Sequence, residues 1–177
     1  GVDLVERLDA VLPEGLRVLA VRPILYKIPS VMSQLEGASY RVRFPASFLA
    51  DARMDVRELE AALHSGTSRL LAREHVLVRR VTEDKVREFD ARPSIAGLLV
   101  GAEGDSPVVD MHLRFTMRAQ ARPDDLLALM FPDSDPRTVD VERTELWAER
   151  GTDRLDPMQL LTPRTPGAVV SQEGALS

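Results

Sequence analysis

Residues 75–100, HVLVRRVTEDKVREFDARPSIAGLLV, constrain the fold of this chain more than any other stretch. Val76, Val78 and Arg80 alternate with Leu77, Arg79 and Val81, the period-2 pattern of a strand with two different faces. The polar turn Thr82-Glu83-Asp84-Lys85 follows, and a return arm runs from Val86 to Phe89. Two such arms around a short polar loop predict a β-hairpin. Asp90-Ala91-Arg92-Pro93 then leads into an apolar run ending at Val100, read as a short helix or tight buried segment over 94–100. Charges set between a hairpin and a buried segment must be paired or solvated.

The pattern on either side supplies the partners of this stretch. Residues 38–44 (ASYRVRF) alternate Tyr40, Val42 and Phe44 with Arg41 and Arg43, a strand. Asp55 is placed to cap a helix over 55–65, with Val56, Leu59, Ala62 and Leu63 on one stripe, Ser65-Gly66 as its close and residues 67–72 as a further helical extension. After a turn at Gly104-Asp105, residues 108–117 predict a strand with Val109, Met111, Leu113, Phe115 and Met117 inward. Pro123 opens a helix over 124–131, and 138–147 forms the last strand. With 75–81 as the second strand, the order is βαββαβ. That order predicts an α+β, ferredoxin-like antiparallel sheet with both helices on one face and the hairpin elaborated at its centre.

Three units follow. Residues 1–37 are expected to be the end of a preceding, truncated unit: a helix capped by Asp3, then a strand over 16–22. A helical turn at 30–35 completes that unit. Residues 38–161 form the ferredoxin-like domain, with 155–161 docking as a final turn. Residues 162–177 hold two prolines, small residues and no periodicity, and are expected to be disordered.

Composition narrows the function. The chain has no cysteine, which excludes disulfides, thiolate zinc sites and cysteine-held iron–sulfur clusters within it. A formal net charge of -5 argues against a general polyanion binder and leaves room for a local basic face. No apolar run reaches the ~18 residues that a membrane helix needs, and no membrane partner is expected. Among the 23 basic residues only Lys27 and Lys85 are lysine, a bias that reads first as GC-rich coding.

The candidate site residues are few. His64, His75 and His112 lack a second ligand at metal-site spacing, so no metal and no cofactor is expected. Asp110, two residues from His112, is the group placed to orient it. No nucleophile stands beside them, and no catalytic residue is predicted. Asp90 and Arg92 are two apart and predict a local salt bridge, with presentation of Arg92 to a phosphate or a partner carboxylate as the functional alternative. Arg114 and Arg118, with Arg80 joining them, are candidates for a basic stripe on the open sheet face. That face is where related sheets take single-stranded RNA, although no stacking aromatic pair is present. Residues 133–156 hold eight acids against four bases, a solvated run or a face for a basic partner. Trp147 reads as a core or interface anchor.

Taken together, LDAVLPEGLRVLAVRPI, SYRVRF, FDARPSI, RPDDLLALMF and VERTELW resemble the radical-SAM-associated domain family of unknown function, often called radical-SAM-linked proteins. The resemblance extends over about residues 3–161. It implies a cytoplasmic bacterial accessory domain beside a radical-SAM protein, with RNA modification as a setting and tRNA or rRNA as a further partner. Members carry an upstream portion with Ser-His-Leu-Asp and Gly-Phe-His-Pro phrases that are absent here, and their radical-SAM neighbours hold a cluster on three cysteines. Radical chemistry therefore belongs to the partner. The alternatives are an RNA-binding module using an Arg-rich sheet face or edge, and an enzyme whose site lies in the missing portion.

Overall fold

A computed structural model describes residues 2–21, 29–82, 85–117, 120–151 and 153–161. Its centre is strand β1 (Gly37–Arg43), hydrogen-bonded on both sides. Strand β5 (Ser106–Arg114) lies along one edge of it and β6 (Asp140–Arg150) along the other, both antiparallel. Strand β4 (Ile95–Glu103) extends the sheet beyond β5, and the short β7 (Asp153–Leu155) extends it beyond β6. The resulting five-stranded order is β4-β5-β1-β6-β7.

The faces of this sheet follow from alternation. Val42 of β1 and Val109, Met111 and Leu113 of β5 point to one side and are buried. Helix α4 (Val56–Ala72) brings Leu59, Leu63 and Leu70 to that side, and α5 (Pro123–Met130) brings Leu126, Leu127 and Met130. All of these share one core cluster, so both helices cover one face. Full burial of a leucine contributes about 2 kcal/mol. Asp55 caps α4 by accepting from Glu58 N at 2.8 Å, and Glu58 Oε2 accepts from Asp55 N at 2.9 Å in return.

Helix α4 continues through Ser65-Gly66 into the extension over 67–72 and ends at Ala72. Gly66 sits where Met130 of α5 crosses: a Cβ there would come within 2.9 Å of the Met130 methyl. The glycine permits close approach of two helices. An additional helix, α3 (Ala46–Ala52), follows β1 and buries Phe48 against Phe44 and Phe131, with ring centroids 5.1 and 5.4 Å away.

Two assignments inside the organising stretch change. The run over 94–100 is not a helix or compact segment: Ser94 ends a 3-10 turn over Arg92–Ser94, and residues 95–100 belong to β4 and pair with β5 through the Gly104-Asp105 turn. The strand expected over 75–81 is β2 (Leu77–Thr82), and it does not enter the main sheet. It pairs with β3 (Lys85–Asp90) as a separate two-stranded sheet. The reason is visible in burial: Val76 and Val78 reach the core, whereas Leu77 and Val81 are exposed and Arg80 meets α5. The hairpin lies on the helix side as an attachment.

At the N-terminus α1 spans Val2–Asp9, with Asp3 inside it, and α2 is the single turn Val31–Gln34. No strand forms over 16–21, where Val18 N instead donates to Asp9 Oδ1 at 2.6 Å. Residues 22–28, and the tail over 162–177, lie outside the described residues. The turn expected near 155–161 is a 3-10 helix, Gln159–Leu161, that buries Leu160 with Leu35 and Ala148 in a second small cluster. Met117, expected inward, is fully exposed beyond the end of β5. Among the described residues no helix is long and apolar enough to cross a membrane.

Candidate functional site

Polar side chains gather in three places, and the first is the end of the hairpin. Asp90 Oδ1 accepts from Val76 N at 2.8 Å and from Arg92 N at 2.9 Å, while Oδ2 meets His75 Nδ1 at 2.8 Å. These bonds, led by the one from His75, hold the Asp90 carboxyl down to about 2. The salt bridge expected between the Asp90 and Arg92 side chains is not formed. The Arg92 guanidinium turns to the end of α4 and donates to Arg73 O at 3.1 Å, Leu71 O at 3.4 Å and Ile95 O at 3.2 Å. The last carbonyls of a helix lack partners within it, and a cation suits that negative end. Asp90 therefore closes the hairpin while Arg92 caps a helix.

The second place is the open face of the five-stranded sheet. Arg41 grips Asp110 with two bonds, Nε to Oδ1 at 2.8 Å and Nη2 to Oδ2 at 2.9 Å, and the Asp110 carboxyl is held below its ordinary value by that bond. Asp110 thus orients Arg41 rather than His112. Arg43 reaches Glu103 at 2.8 Å and Glu142 at 2.7 Å, and Arg114 reaches Glu149 at 2.9 Å. His112 Nδ1 lies 2.8 Å from the buried Ser39 hydroxyl, which is also 3.1 Å from Glu145. Burial, reinforced by Arg154, lowers the His112 pKa, so the neutral imidazole is favoured. A serine, a histidine and a carboxylate do meet here. The carboxylate, however, shares the serine hydroxyl instead of orienting the imidazole, which is not the relay a nucleophile needs. Trp147 is fully buried at the rim of this face, packed on Gly37 and covered by the Arg154 guanidinium 4.5 Å from its ring centroid.

The third place is a cleft between the hairpin and the start of α5, with a volume near 490 Å³ and walls of Arg80, Lys85, Val86, Arg87 and Arg122. Arg80 and Arg87 are directly opposed across the hairpin. Arg80 is held by Asp125, its Nε lying 3.2 Å from Oδ1, and by Gln120 O at 3.0 Å. Asp125 also accepts from Arg122 N at 2.8 Å, which ties the first turn of α5 to the hairpin. The Phe89 ring lies 5.1 Å from the Arg80 guanidinium and 6.0 Å from that of Arg87.

The expected basic stripe of Arg80, Arg114 and Arg118 is not assembled on the open face. Arg80 and Arg114 belong to different sheets, and Arg118 lies outside the described residues. Lys85, Arg87 and Arg122 were not among the expected site residues. Their signal was the alternation of Lys85, Arg87 and Phe89, which puts them on one face of β3 and opposes Arg87 to Arg80. Among the described residues no three metal-ligating side chains converge.

A bacterial family model, described as an uncharacterized protein conserved in bacteria (DUF2344), matches residues 2–124. The chain belongs to that family. No curated protein and no solved structure matches it. The DUF2344 match covers α1 to the start of α5, including the hairpin and β1, β4 and β5 of the open-face network, and ends before β6.

Proposed function

We propose that this DUF2344 chain is a non-catalytic interaction domain that works with a radical-SAM protein in the bacterial cytoplasm, in the modification of RNA. The identity of the partner and the compartment are supported by the resemblance of the phrases between residues 3 and 161 to radical-SAM-linked proteins. An interaction role is supported by one observation in particular. Leu4, Leu8, Val11, Leu12, Leu16 and Leu19 are all exposed on the segment 2–21, and neither core cluster includes a residue of that segment. Large apolar side chains concentrated outside a core favour burial against another surface. The sheet is read as ferredoxin-like: taken in chain order, β1, β4, β5 and β6 stand first, second, third and fourth, and across the sheet they run second, third, first, fourth. The hairpin is then an insertion before the second strand.

The reading is tested by co-expressing the chain with its radical-SAM neighbour and measuring recovery of the complex. Leu8→Glu with Leu12→Glu is expected to abolish recovery and leave the unfolding midpoint unchanged, since both residues lie outside the core clusters. Absence of a complex with the wild-type chain, or equal recovery with the variant, would contradict the proposal.

A further inference from the structure

We propose that the cleft between the β2–β3 hairpin and the start of α5 binds the phosphodiester backbone of a single-stranded nucleic acid. Among the described residues, four of its five wall residues are cations and none is an acid, in a chain whose formal net charge is -5. Cations concentrated against the overall sign of a protein mark a local anion site better than the same residues would in a basic one. The placement strengthens the case. Arg80 and Arg87 face each other across the hairpin, a position where like charges repel. Asp125 offsets the Arg80 side, but that carboxylate is also committed to Arg122 N. An anion entering the cleft would meet cations from three elements at once: β2, β3 and the residue preceding α5.

A second depression adjoins the cleft across Arg87. Its walls set the apolar Phe89, Pro93 and Met117 beside the carboxylates of Glu88 and Asp90, and Met117 is fully exposed. A phosphate strand carries a flat apolar base beside each charge, and basic grooves that hold single strands combine cations with apolar or aromatic walls. An acidic peptide brings the charge without the base and leaves this second depression unused. A double helix keeps its bases stacked inside. A cationic cleft beside a depression that offers the Phe89 ring and Met117 therefore favours a single strand. This deepens the interaction-domain reading by naming what the domain would hold for its partner. It is measured on the chain alone, so loss of partner recovery leaves it standing.

The test is fluorescence anisotropy of labelled twelve-nucleotide oligouridine and oligothymidine, titrated with the full chain at 50 and 200 mM KCl. Engagement of three to four phosphates predicts a logarithmic salt slope of about -2 to -3, and so roughly 15- to 50-fold weaker binding at the higher salt. Binding of either strand supports the inference, and the tighter of the two identifies the nucleic acid. Lys85→Glu with Arg87→Glu is expected to weaken binding at least tenfold with a urea midpoint no lower than that of the wild type, and Lys85→Gln with Arg87→Gln to weaken it less. Arg43→Ala, on the open face, is expected to leave it unchanged. Three results would overturn the inference: no binding at 50 mM salt, indifference to both double variants, or tighter binding of a twelve-residue polyglutamate.

Discussion

The open sheet face and the hairpin cleft are both rich in arginine, and they differ in what stands across the strands from it. On the open face Arg41 meets Asp110, Arg43 meets Glu103 and Glu142, and Arg114 meets Glu149. Carboxylates stand directly across the strands from the cations, as in the Arg41↔Asp110 and Arg41↔Glu142 registers. In the hairpin the residue opposite Arg80 is Arg87. Cross-strand ion pairs brace a sheet, whereas a cross-strand pair of like charges costs stability. Arginine content alone therefore does not separate the two regions; the sign of the residue opposite Arg41 and opposite Arg80 does.

The comparison can be broken most forcefully at Gly37. A Cβ there would lie 2.2 Å from the Trp147 ring and 2.5 Å from Leu113 O, so backbone and a buried indole would both have to move. Gly37→Ala is expected to destabilise the chain by about 3 kcal/mol in urea denaturation. If the open face is only a brace, the folded fraction should bind oligouridine as the wild type does. A wild-type midpoint would show that the face is looser than its contacts indicate.

A smaller effect is expected at the hairpin end. Arg92→Ala removes the side-chain bonds to Leu71 O, Arg73 O and Ile95 O and should cost about 1–2 kcal/mol. Asp90→Ala removes separate bonds to His75, Val76 N and Arg92 N. Because the two side chains do not bond each other, a double-mutant cycle should give a coupling within about 0.5 kcal/mol. A larger coupling would restore the salt bridge that the sequence suggested. In the cleft, Lys85→Gln with Arg87→Gln should alter stability by less than about 0.5 kcal/mol, since both side chains are exposed.

The smallest effects are titrations. Asp90 should titrate near 2 by carbon-detected NMR, below the ordinary 3.8. A depressed carboxyl contributes stability that is complete above about pH 4 and lost as the pH falls through 2. His112 should titrate below 6.5, because burial and Arg154 disfavour its charge. Its contribution is present above that value and is lost as the pH falls through the lowered one. Arg154→Gln should move the His112 midpoint upward, and a downward movement would contradict the assigned cause.

Much of this architecture was legible from alternation and capping. Tyr40, Val42 and Phe44, the Asp55 cap, Pro123 and the Val76–Val78 face all lie where their residue types require. Two features were not. The run Ile95–Val100 has continuous apolar character and Gly97 within it, which does not separate a strand from a compact buried segment until its partner β5 is known. The hairpin, conversely, has a clear strand pattern, but nothing local states which sheet a strand joins. That depends on Val76 and Val78 finding the helix side of the core while Leu77 and Val81 stay outside. The site was hidden for the same reason: Arg80 was visible, and its opposite number became visible only with the register.

The central claim is that the hairpin recognises and the five-stranded sheet supports. Amide chemical-shift mapping of the full chain with twelve-nucleotide oligouridine tests it directly. The account predicts shifts concentrated in residues 77–82, 85–90 and 120–125, with 37–43 and 106–114 unmoved. Shifts running along β1 and β5 instead would place recognition on the braced face and contradict it.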